Sequence, residues 1–382
     1  MRIMPGAMLG VLGGGQLGRM FVMAAQQMGY RVTVLDPLPD SPAGRTADDF
    51  ICADYADQSA LEKLSSQCVA ITTEFENIPA NSLRKLAKSC VVSPDAYSVS
   101  IAQNRIAEKQ FLGTNGFAIA PFSVIQQQDD FAAQDVADLL PGILKVSQFG
   151  YDGKGQKSAA DETELLAAYA QLNHPVCVLE KFMPLKSELS VVVARGGDGE
   201  LKTFPVSENQ HVNGILDISI VPARISPELA EQAQAIACKI AEKLDYQGVL
   251  CVEFFVLQDD ELLINEIAPR PHNSGHYSIN ACVTSQFEQQ VRTLCGLPLG
   301  DTTQHSAAVM VNLLGDLWQN GEPDWSLVLQ NPSAKLHVYG KTEARPGRKM
   351  GHYTVLSTDI DTALQQATAI KKQLEHHSIQ KP

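Results

Sequence analysis

Two glutamates sit inside apolar stretches of this chain: Glu253 in "CVEFFV" and Glu266 in "LLINEIAP", the latter beside Asn265. A carboxylate within a buried strand is costly unless a cation compensates it. Two carboxylates and an amide oxygen on neighbouring antiparallel strands suit magnesium when it also holds substrate phosphates, because that ion takes few protein ligands. Two strand-edge glutamates paired with lysines are the plainer alternative. Further upstream, "LKVSQFGYDGKGQ" sets Lys145 at the end of an apolar strand and follows it with Gly150, Gly153 and Gly155. The amides of such a loop can fold over phosphates while the lysine meets them as a point charge. The ending and following helix of a P-loop are missing, and a flexible hairpin turn accounts for the stretch equally well. Lysine, loop and acidic pair together point to a nucleoside triphosphate.

Two more stretches invite an anion. In "VLGGGQLGRM", Gly13, Gly15 and Gly18 fit G-x-G-x-x-G, and Asp36 closes the next apolar run near the distance of a dinucleotide's ribose partner. An NAD-dependent dehydrogenase would explain that segment but leaves Glu253, Glu266 and the second glycine loop without work. A strand, a glycine turn and a helix N-terminus form a general anion cradle. Near the other end, "YGKTEARPGRKMGH" gathers Lys341, Arg345, Arg348 and Lys349 within nine residues around a Pro-Gly turn. A chain of net charge −13 must concentrate positive charge wherever it binds a phosphate; a solvated basic turn is the other reading.

The elements that position these residues follow from patterning. To about residue 100, short strands alternate with helical stretches, which predicts a parallel sheet. From Pro121 to about Phe204 the strands "GILKVS", "VCVLEKF" and "ELSVVVAR" come closer together and suggest a small α+β unit. A long helix at about 227–244 then precedes "GVLCVEFFVL" and "ELLINEIA", which the short "QDD" turn makes a hairpin. With 382 residues the chain exceeds one comfortable core, so two or three domains are expected. The acidic balance argues against nucleic-acid or anionic-membrane partners. Eight cysteines, mostly in apolar runs and without a C-x-x-C pair, read as thiols of a reducing compartment. No apolar run reaches the roughly eighteen residues of a membrane span. A cytoplasmic enzyme or binding protein is expected.

Lys145, "GYDGKGQ", "LEKFMPLKSELS", Glu253 with Glu266, and "NEIAPRPHNSGH" resemble the ATP-grasp superfamily in order and spacing. Within it the chain is similar to the N5-carboxyaminoimidazole ribonucleotide synthetase family, from "LGGGQLGRM" to "EARPGRKMGH". The formate-using glycinamide ribonucleotide transformylases share the glycine loop and "PRPH", but are not expected to have Tyr151-Asp152 or "HNSGH". The resemblance implies an α/β and α+β multidomain chain: a Rossmann-like domain at 1–108, an ATP-grasp lid at 109–184, a large ATP-grasp subdomain at 185–298, and a C-terminal part at 299–382. It implies ATP-dependent carboxylation of 5-aminoimidazole ribonucleotide by bicarbonate through carboxyphosphate, with Mg²⁺ or Mn²⁺ and without biotin or NAD. A homodimer in the cytoplasm follows from the same likeness, and a mere nucleotide sensor would have no need of "RPHNSGH".

Carried across, the ATP contacts fall on Arg105, Lys145, Gly150, Tyr151, Asp152, Gly153, Lys154, Gly155, Gln156, Glu180, Lys181, Phe182, Met183, Glu188, His211, Asn265 and Glu266. The strand end at 180–183 is expected to read the adenine edge. Glu253 and Glu266 would hold the metal. Asp152, Arg270, His272 and Asn273 would serve catalysis, and Gln16, Leu17, Glu74, Tyr151, Lys154, Lys341 and Arg348 the ribonucleotide. On this reading the first glycine turn meets a ribonucleotide rather than a dinucleotide, and Asp36 is either structural or a support behind the residues that touch the ligand.

Overall fold

Short runs of Val, Ile and Leu that must be covered on both faces favour parallel pairing. Met8–Leu12 (β1), Arg31–Asp36 (β2), Asp49–Cys52 (β3), Ala70–Thr73 (β4) and Val91–Val92 (β5) form such a sheet, in the order β3-β2-β1-β4-β5. The helix Gln16–Gln27 turns Leu17, Met20, Phe21 and Ala25 inward. The computed structural model describes residues 2–148, 150 and 155–380, with 134, 379 and 380 described in backbone only. Among these, no helix is long and apolar enough to cross a membrane.

Phe122–Ile125 (β6), Gly142–Val146 (β7), Gln156–Ala159 (β8) and Cys177–Lys181 (β9) make a second, antiparallel sheet ordered β6-β9-β7-β8. The second glycine stretch therefore joins the two strands of a hairpin. The helix Glu162–Gln171 packs Leu165, Ala168 and Tyr169 against this sheet.

The third sheet has nine strands. They are Leu185–Arg195 (β10), Leu201–Thr203 (β11), Ser207–Val212 (β12), Ile215–Val221 (β13), Gly248–Leu257 (β14), Leu262–Ala268 (β15), Ala307–Leu314 (β16), Ala334–Val338 (β17) and Lys349–Ser357 (β18). Their order is β15-β14-β10-β12-β13-β16-β18-β17, with β11 on β10. Here the sequence reading needs correction. It grouped "ELSVVVAR" with the small unit, but that strand pairs with β14 from end to end. Sequence proximity suggested the grouping; six consecutive buried residues, Leu189 to Ala194, demand cover on both flanks, which only the large sheet supplies. The helix Pro227–Lys243, capped by Ser226, lays Ala233, Ala237, Ile240 and Ala241 on β10 and β14. The helix Ile360–Gln380 covers the far end through Ala363, Ala367, Ile370 and Leu374. Between first and third sheets runs the helix Gln286–Leu294, whose Val291 and Leu294 complete the core of the first.

Candidate active site

The hairpin β14–β15 brings the acidic pair together. Glu253 and Glu266 are register partners, and the register slips immediately afterwards, so that Asn265 is the extra residue of a β-bulge. A bulge breaks the strict alternation of faces and re-aims side chains, here at the two residues expected to meet metal and nucleotide. Glu266 Oε2 lies 3.1 Å from Nη1 of Arg105, which begins the helix Arg105–Thr114. Asn265 Oδ1 is buried without a hydrogen-bond partner among the described residues. Behind them Glu108, unremarked in the sequence, accepts the Ile267 amide at 2.6 Å. Burial first, and then the Glu266 charge, push its carboxyl up to about 8.

Lys145 and Glu180 are brought together as well, with a third group that sequence reasoning missed. Lys145 Nζ lies 3.0 Å from Glu180 Oε2, and Lys109 Nζ lies 3.3 Å from Oε1. All three side chains are buried. Burial would raise the Glu180 carboxyl, but Lys145 and Lys109 hold it below its ordinary value. The signal for Lys109 is its place four residues after Arg105, one helical turn further on the same face. The adenine-edge expectation is corrected in part: Lys181 and Phe182 already donate their amides to Pro121 and Pro141, each at 2.9 Å. Strand pairing claims the first of these because Glu180 and Lys181 lie inside β9 rather than after it. Phe182 itself is exposed.

Glu188 on β10 and His211 on β12 meet at 3.1 Å and line a cavity of about 360 Å³ with Leu185, Lys186, Ser187, Glu208, Asn209 and Gln210. Burial opposes the charged imidazole, yet Glu188 raises its pKa. Gln156 pairs in register with Lys145, and Gly155 takes a positive φ of 76° where Val146 donates to its carbonyl. Gly150 is described as irregular chain. Tyr151, Asp152, Gly153 and Lys154 lie outside the described residues.

The stretch after β15 crosses toward the first sheet. Arg270 forks onto Glu76, through Nε to Oε2 and through Nη2 to Oε1 at 3.2 Å. Burial would raise Glu76, but Arg270 draws its carboxyl down to about 2. Glu76 lies two residues from the expected Glu74 in "TTEFEN", and the sequence offered no means of choosing between them. His272 Nε2 lies 2.8 Å from Glu253 Oε1, with Nδ1 2.8 Å from the Ser274 hydroxyl. Burial disfavours its charged form, but Cys251 and Glu253 raise it to about 10. Asn273, expected in catalysis, has both amide atoms on Asn312.

The first glycine turn overturns one expectation. Its amides do not await an anionic ligand; the protein's own carboxylates occupy them. Glu74 accepts from Gly15 at 2.5 Å and Gly18 at 2.6 Å, while Asp36 accepts from Gly14 and the Tyr55 hydroxyl, both at 2.6 Å. A Cβ on Gly13 would stand 2.2 Å from the Glu74 side chain, so glycine is required for this close approach. The turn thus cradles carboxylates of the chain itself. Burial raises the Glu74 carboxyl, against the Gly18 and Gly15 amides. Gln16 opens the helix, and Leu17 packs with Tyr339. Two residues on, Lys341 bonds the Lys349 carbonyl at 2.6 Å. Arg348 Nη1 bonds the Glu343 carbonyl at 2.7 Å, and Arg45 donates to Gly340 from the N-terminal side.

The family models match this layout: an ATP-grasp domain over residues 110–287, a ribonucleotide synthetase preATP-grasp domain over 7–103, and a phosphoribosylaminoimidazole carboxylase C-terminal domain over 308–366. A Bacillus subtilis protein called N5-carboxyaminoimidazole ribonucleotide synthase is 46% identical over 367 residues, covering 96% of each chain. The present chain belongs to that family. A Brucella melitensis protein of the same name is 46% identical over 92% of this chain and 96% of its own. Among solved structures, an ADP complex of N5-carboxyaminoimidazole ribonucleotide synthetase matches with a TM-score of 0.93 at 43% identity, covering 99% of each chain. The Aspergillus clavatus N5-carboxyaminoimidazole synthase bound to ADP and 5-aminoimidazole ribonucleotide matches with a TM-score of 0.89 at 30% identity, covering 97% of this chain and 99% of that one. The ATP-grasp fold with an N-terminal parallel-sheet domain, expected from motifs, is the fold observed.

Proposed function

We propose that this protein uses ATP to carboxylate the exocyclic amine of 5-aminoimidazole ribonucleotide with bicarbonate, releasing ADP and phosphate, in purine synthesis. The observation that carries the reading is the register pairing of Glu253 with Glu266, flanked by Arg105 and His272, in a chain of this family. Bicarbonate is a poor electrophile. Transfer of the γ-phosphoryl group to one of its oxygens makes carboxyphosphate, and the ribonucleotide amine then attacks the carboxyl carbon as phosphate leaves. Phosphoryl transfer asks a protein for positioning and charge neutralisation more than for covalent chemistry.

The residues divide accordingly. Lys145, held by Glu180 before nucleotide arrives, supplies charge to the phosphates, and Arg105 does so from the facing helix. Gly150–Gln156 close over the nucleotide, Glu188 accepts from the ribose hydroxyls beside His211, and Met183 and the carbonyls around Glu180–Phe182 face the adenine edge. The oxygens of Glu253 and Glu266, with the unpartnered Asn265 Oδ1, fit a hard divalent cation. Magnesium held there would neutralise charge on the transferring group. Arg270 and His272 receive the carboxyl intermediate, Asp152 hydrogen-bonds the amine, and Lys341, Arg348 and Lys154 take the 5′-phosphate near Tyr151, Gln16, Leu17 and Glu74. The division at 108, 184 and 298, a homodimer and a cytoplasmic setting belong to the same reading.

The test is ADP formation by the purified protein with ATP and Mg²⁺. Turnover that requires both bicarbonate and 5-aminoimidazole ribonucleotide is expected; turnover with formate and glycinamide ribonucleotide instead would replace this assignment.

A further inference from the structure

"APRPHNSGH" and "RPGRKMGH" each end in a histidine that the proposed reaction does not use, His276 and His352. Both are fully buried, and their rings stand 4.9 Å apart, centre to centre. They are the middle of a longer arrangement. Asn312, His352 and His337 are register partners across β16, β18 and β17, so they form one row over three adjacent strands. Facing them are Asn273, His276 and Asn280, three and four residues apart, on the segment from the 3₁₀ turn Asn273–Gly275 into the helix Ser278–Ala281. Such spacing aligns side chains along one side of a helical segment.

Each member of the row meets one member of the segment. Asn312 and Asn273 exchange amide hydrogen bonds of 3.0 and 2.7 Å, His352 rests on His276, and His337 Nε2 lies 2.8 Å from Asn280 Oδ1. The row is also tied within itself: the His337 and His352 rings stack at 4.5 Å and 14°, and Tyr339 Oη lies 2.8 Å from His352 Nδ1. The segment follows Arg270 and His272 directly. On the other side, Tyr339 precedes Lys341 by two residues, and β18 begins right after Arg348.

We infer that these three matched pairs are an interlock that sets the carboxyl-handling residues at a fixed distance from the ribonucleotide-phosphate residues. Asn312, His352, His337, His276 and Asn280 are positioning residues, and Asn273 joins them, since both ends of its amide are spent on Asn312. The inference rests on the proposed roles of Arg270, His272, Lys341 and Arg348. Apolar side chains would fill the same space without stranding polar atoms, yet Nε2 of both His276 and His352 lacks a hydrogen-bond partner among the described residues. Apolar burial is non-directional; paired amides and stacked rings specify one register. Burial above all holds His276 and His352 far below the usual histidine range.

Steady-state kinetics of three variants test the interlock. His352→Phe keeps a ring and removes the hydrogen-bond partner of Tyr339 Oη, His352→Asn keeps a polar atom near Nδ1 and removes the ring, and Asn280→Ala opens only the half-buried outer pair. His352→Phe is expected to raise the KM for 5-aminoimidazole ribonucleotide at least about tenfold while the KM for ATP stays within about twofold. His352→Asn should do the same, and Asn280→Ala should shift the same ratio less. Equal movement of both KM values together with a lowered Tm would reduce the row to packing, and unchanged kinetics in all three would overturn it. Should neither His352 variant fold, the Asn280→Ala ratio decides alone. Failure of the functional reading shows separately, as absent ribonucleotide-dependent turnover in the parent protein, and the interlock falls with it.

Discussion

Glu266 lies on a strand made mostly of apolar residues and has Arg105 as its observed partner. Glu266→Gln removes charge and little volume, so turnover should fall by about two orders of magnitude or more with the fold intact. Near-normal ADP formation, with an unaltered circular dichroism spectrum, would remove it from the site. His272 offers a test by pH. Its pKa stands at about 10 in the folded chain against 6.5 ordinarily. The stabilisation it gains from Cys251 and Glu253 is therefore fully present below about pH 6.5 and is lost as pH rises through about 10. Thermal unfolding of the parent and His272→Gln should converge over that interval. Glu76 runs the other way: with its carboxyl drawn down to about 2, the Arg270 pair stabilises above the ordinary value of 4.5 and fails as pH falls toward 2.

At the scale of elements, β14 and β15 were legible in full, because their apolar runs are long and the acidic turn between them is short. The carboxylates inside those runs announced themselves as misfits. The bulge that makes Asn265 the extra residue was not legible, since a register slip leaves period-two patterning almost intact. Nor could spacing show that Leu185–Arg195 belongs to the large sheet rather than the small one, or that Glu76 holds Arg270. Lys109 carries only the weak signal of its spacing from Arg105, since a lysine in a helix is usually solvated, and the fold brings it against Glu180 of β9. Lys109→Met leaves Glu180 half-compensated in a buried place and should cost roughly 3 kcal/mol, read as a shifted urea midpoint. Adding Glu180→Gln should recover part of that loss, and strictly additive losses would show that the two are not coupled.

At the scale of the molecule, the helix Gln286–Leu294 holds the first and third sheets together. Its Gln290 bonds Thr72 and Thr73 of β4, its Gln289 pairs with Gly300, and its Leu294 is buried in the first sheet's core. Since the proposed ribonucleotide site draws on both sides of this junction, stability and substrate affinity would share one element. Leu294→Ala should destabilise by about 2–5 kcal/mol and keep a single calorimetric transition at lower temperature. Two separated transitions would mean that the sheets unfold independently.

The self-occupied glycine turn has a consequence for inhibitor chemistry. Because Glu74 and Asp36 already accept from the amides of that turn, a phosphonate or other anionic mimic aimed at it would meet two carboxylates instead of open amides. A competitor reaching this corner should instead carry an amidine or a protonated amine opposite Glu74, with its anionic end left for Lys341 of the proposed ribonucleotide site.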